Sequence, residues 1–355
     1  MIVFVVAILL LYFARVRYDL KSFNGDYISG DAIQPIKGLF ILLVFASHFI
    51  LYITPQGCLD TSYMAVRRVL GQMIVVPFLF YSGYGVTVQV LNKRMDYLGP
   101  FLKKRVVRTV LLFDLAVVSY ILLRWTVFGV NFSAERIFLC CLGWLSAGNS
   151  NWYIFSIVIL YFLTYLCFVS FSGIDSRYRD WSAIAALAVC VTVLIGVLQE
   201  CRPDYVYNTL FAYVFGCCFA MIRGKFELMF FGSGRAWLLC VAVSCFAYWQ
   251  LIQYRAYTAV SELSAIVFSF LIVLLSGKFL SGSRILGYCG RHLFSLYIFQ
   301  RLPMLMLRDT RIADNRYVYF AVCLVCTFAV SALFDKYVVK LVDCGLTLLV
   351  RRARP

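Results

Sequence analysis

An all-α, polytopic membrane helix bundle is the fold class the sequence predicts, and three observations carry that prediction. Hydrophobic residues make up 63% of the chain and charged residues only 14%, with a mean hydropathy of +0.86. A soluble domain has no surface for that much apolar side chain. The apolar residues gather in segments of membrane-spanning length. The basic residues gather in short segments between them, on one side of the alternation. About ten core transmembrane helices and one extra N-terminal helix are expected.

The first apolar run, Ile2–Phe13, has no basic residue before it and no small-residue cleavage site after it. It therefore reads as a short helix, not a signal peptide. Arg15, Arg17 and Lys21 follow it. Spans are predicted at about 1–14, 36–54, 69–91, 105–125, 152–171, 182–199, 204–222, 235–253, 258–280, 285–307 and 317–342. Those shorter than about 20 residues imply tilt or local thinning of the bilayer. Ala134–Gly148 is apolar but short, and reads as an interfacial or re-entrant piece on the outer side. The segments 15–37, 92–108, 172–181, 223–235, 277–291 and 340–355 carry 22 of the 33 Lys and Arg residues. In a plasma (inner) membrane, that bias predicts an N-terminus outside and a C-terminus cytoplasmic. It also accounts for the net charge of +16 without a nucleic-acid partner. Residues 1–32 form the N-terminal helix and its linker, 33–342 the membrane domain, and 343–355 a basic cytoplasmic tail.

Fourteen cysteines are mostly scattered along the apolar segments. Cys323-x-x-Cys326 lies inside such a segment and reads as packing. No ligands are grouped as a zinc site requires, so no metal is expected. Cys58 and Cys201 fall in predicted outer loops, where a disulfide has no further support.

One stretch organises the rest: Ile36–Leu51, IKGLFILLVFASHFIL. His48 is one of only two histidines and lies inside a membrane-length run, where an ionisable side chain is costly and reads first as functional. Helical rise puts it about 16 Å from Lys37, roughly half of a ~30 Å hydrocarbon core. A packing histidine bonded to a neighbouring span is the other reading. The most basic segment, Lys93–Arg108, reads equally as topology with anionic lipid contact and as a polyanion site. In the second reading Lys104 and Arg108 share a helix face, with Arg105 between them and Lys37 nearby. Pro77-Phe-Leu-Phe-Tyr-Ser82-Gly83-Tyr84-Gly85 suggests a helix break or a packing kink. Asn149–Tyr153 starts a helix at the outer face, with Asn151 and Trp152 either capping and belting it or meeting substrate. Asp114 and Glu262 are intramembrane carboxylates without assignable partners. Arg301, also within a span, should face a wet cavity or a carboxylate. His292 sits near the inner face and reads as a loop histidine.

The order and spacing of these elements resemble the acyltransferase 3 family of multi-pass membrane O-acyltransferases, of the fucose 4-O-acetylase-like kind. Lys37-Gly-Leu…Ser47-His48 resembles its Arg-x10-His motif, and Phe78-Leu-Phe-Tyr-Ser82-Gly83-Tyr84 its Phe-Phe-x-x-Ser-Gly-Tyr element. Phe101-Leu-Lys-Lys104-Arg105-Val-Val-Arg108 resembles the basic stretch, and Asn151-Trp152-Tyr153 the Trp-Phe/Tyr helix start. Ser295-Leu-Tyr297-Ile-Phe-Gln300-Arg301-Leu-Pro303 resembles the closing element. The likeness covers about residues 33–342. Two departures stand out. Lys37 replaces the usual arginine and offers a point charge instead of a bidentate fork. Gln300 stands where many relatives carry histidine.

The resemblance implies acyl transfer, commonly of acetyl, from cytoplasmic acetyl-CoA or another acyl-CoA to a hydroxyl of a surface glycan or lipid-linked saccharide. Lys37, Lys104, Arg105 and Arg108 would hold the phosphates. His48, with an unperturbed pKa near 6.5, would act as general base. Ser82, Tyr84, Asn151, Trp152 and Arg301 would contact substrate or oxyanion. Two rivals remain: a transporter whose path is lined by Asp114, Glu262 and Arg301, and a non-catalytic component of a polysaccharide assembly or export complex. The first predicts internal repeats, and none is visible.

Overall fold

A computed structural model describes residues 1–18 and 22–352. Lys21 of the first basic segment and residues 353–355 of the predicted tail lie outside the described residues. In chain order the helices are α1 (Ile2–Phe13), α2 (Ile33–Phe49), α3 (Gly57–Leu70), α4 (Val76–Lys93), α5 (Met95–Leu98), α6 (Arg108–Phe128), α7 (Ala134–Cys141), α8 (Trp152–Ser170) and α9 (Ser176–Cys201). They continue with α10 (Phe211–Phe230), α11 (Gly234–Leu251), α12 (Thr258–Ser276), α13 (Arg284–Arg291), α14 (Leu293–Phe299), α15 (Arg301–Leu307), α16 (Arg316–Leu333) and α17 (Lys340–Arg352). Among the described residues nine segments are long and apolar enough to cross a membrane, and Ile2–Phe13 and Leu293–Leu307 are shorter apolar helices. These fall on the eleven predicted spans, and the chain is an all-α, multi-pass membrane bundle.

Three local features differ from the expectation. The loop expected before residue 69 is helix α3, hidden because Asp60, Arg67 and Arg68 interrupt its apolar side. No break occurs at Ser82–Gly85. Pro77 instead opens α4 within its first turn, where its missing N–H costs nothing. Two short strands, β1 (Val16–Tyr18) and β2 (Phe279–Ser281), pair antiparallel with Val16 opposite Ser281.

The chain divides into two compact units. Unit 1 comprises Met1–Val44, Gln56–Leu98 and Leu163–Arg291. Its tightest packing is between α4 and α10. A Cβ on Gly83 would run into the Tyr213 carbonyl, and one on Gly216 into the Phe80 carbonyl. Small residues let membrane helices approach this closely, and the rings of Phe80, Tyr84, Phe215 and Phe219 then interlock around the contact. Glu262 on α12 finds its partner in backbone. Its two oxygens accept from Leu210 N and Phe211 N, each at 2.9 Å, where they meet the positive end of α10. On α11, Leu238, Leu239 and Phe246 are all more than half exposed, as a lipid-facing surface requires.

Unit 2 comprises Phe45–Pro55, Gly99–Phe162 and His292–Pro355. Phe320 of α16 packs edge-on against Phe45 and Phe49 at the end of α2. The Tyr120 hydroxyl of α6 donates to the Ile298 carbonyl at 2.8 Å. His292, between α13 and α14, hydrogen-bonds the Asp335 carboxylate through Nδ1, and Ser295 Oγ donates to the same carboxylate at 2.7 Å. Asp114 lies beside Cys141 of α7, with its Oδ1 buried and without a hydrogen-bond partner. Cys58 and Cys201 are free thiols, both exposed.

Candidate active site

Lys37 and His48 are eleven residues apart on one helix, so they lie about 16 Å apart along its axis. Lys37 belongs to the stretch of α2 in unit 1. Its ammonium lies 6.0 Å from the centroid of the Tyr81 ring, a cation–π distance. Gly38 beside it lets α13 approach, since a Cβ there would meet the Leu286 carbonyl.

His48 closes the last turn of α2, within unit 2. Its Nδ1 is 3.2 Å from Ser150 Oγ, and Ser150 is only 2% exposed. The loop that delivers Ser150 is tied by its own polar groups. Ser146 Oγ donates to the Asn149 carbonyl at 2.7 Å, Ala147 N donates to Asn149 Oδ1 at 3.0 Å, and Asn151 Nδ2 donates to the Gly143 carbonyl at 2.7 Å. Gly143 and Gly148 adopt φ of 71° and 113°, conformations that a β-carbon would strain. The sequence Gly-x-x-Ser-x-Gly-Asn-Ser-Asn thus folds into a knot ahead of α8, and the knot holds the serine against the histidine.

Arg301 is the charged member of this neighbourhood. Its Nε donates to Tyr52 Oη at 3.0 Å and its Nη1 to the Asn149 carbonyl at 3.4 Å. A wet cavity or a carboxylate is expected beside it; the partners found are neutral oxygens, so the guanidinium charge is solvated here but not cancelled. It opens α15, immediately after the buried Gln300, whose Nε2 donates to the Tyr297 carbonyl at 2.9 Å.

The basic segment forms a second feature of unit 2. Leu102–Val107 winds as a wide π-helical turn before α6, a form found often at functional sites. Lys103, Lys104 and Arg108 line a cavity of about 460 Å³ with Asp343, Leu346 and Thr347. Arg108 holds Asp343 through two bonds, of 2.6 Å from Nε and 3.0 Å from Nη2. Lys104 and Arg108 therefore line one cavity, while Arg105 is exposed outside its lining.

The remaining predicted residues are distributed as follows. Ser82 and Tyr84 lie on α4 in unit 1. The Tyr84 hydroxyl accepts from Arg223 Nη1 at 3.1 Å, and Arg223 in turn pairs with Glu227 at 2.6 Å. The same guanidinium covers the Tyr27 ring. Burial, with Glu227 alongside, raises the Tyr27 phenol above its ordinary pKa. Among the described residues Ser82 Oγ makes no hydrogen bond. Asn151 spends one amide N–H on the loop, and Trp152 stands edge-on to Tyr153 at 6.2 Å between ring centroids. The sequence reading passed over Ser150 and Asn149 as helix-start residues. The signal available was their place in a Gly/Ser/Asn-rich knot between two apolar runs.

Fold and site together define a class: a multi-pass helical membrane protein that presents a histidine, eleven residues beyond a lysine, to a buried polar loop. The family model described as an acyltransferase domain, that of acyltransferase 3, matches residues 31–336, and the chain belongs to this family. It is a membrane acyltransferase. No curated protein and no solved structure matches the chain.

Proposed function

We propose that the protein transfers an acyl group, acetyl in the simplest case, from cytoplasmic acyl-CoA to a hydroxyl of a cell-surface carbohydrate or glycolipid. The observation that carries this reading is the His48–Ser150 contact of 3.2 Å inside the family domain. With Nδ1–H donating to Ser150 Oγ, Nε2 carries the lone pair and can take a proton. A hydroxyl is a poor nucleophile until a base removes its proton in the transition state, and that is the task of His48. The acceptor oxygen then attacks the thioester carbonyl, the C–S bond breaks, and the imidazolium returns the proton to the departing thiolate.

Lys104 and Arg108 support the donor side. Lys104 gives the cavity an ammonium for the phosphates of the coenzyme, and the Arg108 guanidinium, held by Asp343, is reached by a phosphate that displaces that carboxylate. Arg301 supplies a fixed positive charge close to the loop that carries Ser150. The transporter reading gains less, since Glu262 is committed to the backbone of α10 and is not open to a path. The predicted orientation, N-terminus outside and C-terminus cytoplasmic, belongs to this proposal.

The test is transfer by purified protein in lipid, with radiolabelled acetyl-CoA and candidate surface glycans. His48→Ala at matched folding should lower transfer by about 10²–10⁴-fold, the usual contribution of a positioned base. Equal transfer by the two proteins would remove His48 from the chemistry.

A further inference from the structure

Among the described residues of unit 2, the buried polar atoms without a hydrogen-bond partner include three from the neighbourhood of Ser150 and Arg301: Asn149 Nδ2, Tyr297 Oη and Gln300 Oε1. Their residues are 0%, 1% and 1% exposed. A buried donor left unmade costs on the order of 1–3 kcal/mol, and native proteins seldom tolerate several together without a use for them. Ser150 connects Asn149 and Tyr297 to His48. It follows Asn149 in the chain and holds His48 Nδ1 at 3.2 Å. Ser150 and the Tyr153 backbone also lie beside the Tyr297 hydroxyl without completing a well-formed bond to it.

The orientation of Asn149 is fixed. Its Oδ1 accepts from Ala147 N at 3.0 Å, and its carbonyl accepts from Ser146 Oγ at 2.7 Å. The NH₂ end is thereby turned away from the loop with two N–H bonds to give. Tyr297 is held on α14 by the Tyr153 ring, 5.5 Å away and edge-on. Arg301 stands nearby, fixed on the Asn149 carbonyl, and adds positive potential without consuming either donor.

We propose that Asn149 Nδ2 and Tyr297 Oη are the oxyanion donors of the acyl-transfer centre, placed beside His48 by Ser150. This rests on the acyl-transfer reading and assigns a chemical task within it. As the acceptor oxygen bonds to the thioester carbon, the carbonyl π pair moves onto oxygen. That negative charge receives N–H from Asn149 and O–H from Tyr297. When the charge returns to re-form the carbonyl, the C–S bond breaks and the thiolate takes its proton from the His48 imidazolium. Donors already fixed in a dry site need no reorganisation as the charge develops. Two donors that the protein's own groups leave unpaired are what such a role requires.

The test uses the full chain in lipid nanodiscs, acetyl-CoA labelled with ¹³C at the carbonyl, octyl glucoside as the hydroxyl probe, and release of free CoA thiol as the readout. Tyr297→Phe removes only the hydroxyl, and Asn149→Asp keeps the Oδ1 that holds the loop. Each should lower kcat by about 10²–10³-fold, the loss typical of one oxyanion donor, with KM for acetyl-CoA changed little. The carbonyl stretch of bound acetyl-CoA should move to higher frequency in Tyr297→Phe. Both variants should melt within the range of wild type. A kcat within about twofold of wild type in both variants overturns the proposal, as does a loss shared between kcat and KM with an unmoved carbonyl band. If wild type and His48→Ala release thiol equally, the acyl-transfer reading fails first and this inference falls with it.

Discussion

An imidazole that serves as a base needs its second nitrogen held, and Ser150 is the group that holds His48. Ser150→Ala should leave a folded protein with transfer lowered roughly fivefold, since one neutral hydrogen bond contributes about 1 kcal/mol. A merely structural serine would not alter the pH profile. Here the acid limb of kcat/KM should move, because the hydrogen bond biases the tautomer that carries the lone pair. Glu262 makes the opposite kind of prediction. Its carboxylate satisfies two backbone N–H groups, so Glu262→Leu should cost on the order of 1–3 kcal/mol, read as a lowered unfolding midpoint. Glu262→Gln, which keeps an acceptor, should lose less. At this scale the sequence was only half legible. Lys37 and His48 stand out because they share one helix. The His48–Ser150 contact joins residues 102 positions apart, and no local spacing encodes it.

Helices give a different balance. Length and hydropathy suffice to locate the spans, because a bilayer sets both. Amphipathic α3 escaped that test, and so did the strand pair, whose three-residue segments are too short to show alternation. The Ser-Gly-Tyr element on α4 was read as a break or a kink and is a packing seam. Gly83→Ala should therefore destabilise α4 against α10 by about 1–3 kcal/mol, the usual cost of overpacking. The effect should appear as loss of folded protein before any change in KM. The basic turn before α6 carries the proposed acyl-CoA surface instead. Arg108→Glu reverses a charge in the cavity and repels Asp343. It should raise KM for acyl-CoA severalfold more than Arg105→Glu, because Arg105 lies outside the cavity lining.

Thiol chemistry can test the orientation of the whole molecule. Cys58, Cys201 and Cys344 are all exposed, the first two in segments predicted outside and the third in the predicted cytoplasmic tail. In single-cysteine variants, a membrane-impermeant maleimide added to intact cells should label Cys58 and Cys201. Cys344 should label only after permeabilisation. The reverse pattern would invert the topology and remove the donor cavity from the compartment that holds acyl-CoA.

The pairing of β1 with β2 has a consequence for counting. A two-stranded ribbon leaves N–H and C=O groups open along its edges, and hydrocarbon offers them no partner. Placed where water or headgroups reach those edges, the ribbon brings Tyr18 and Phe279 out on the same face of the bilayer. A chain that leaves and returns to one face has crossed an even number of times. Of the nine long candidate spans, all but Arg316–Leu348 lie between those two residues, which makes eight. Parity thus supports that tally without reference to a single lysine or arginine, and any revision of the crossings between the two strands must come in pairs.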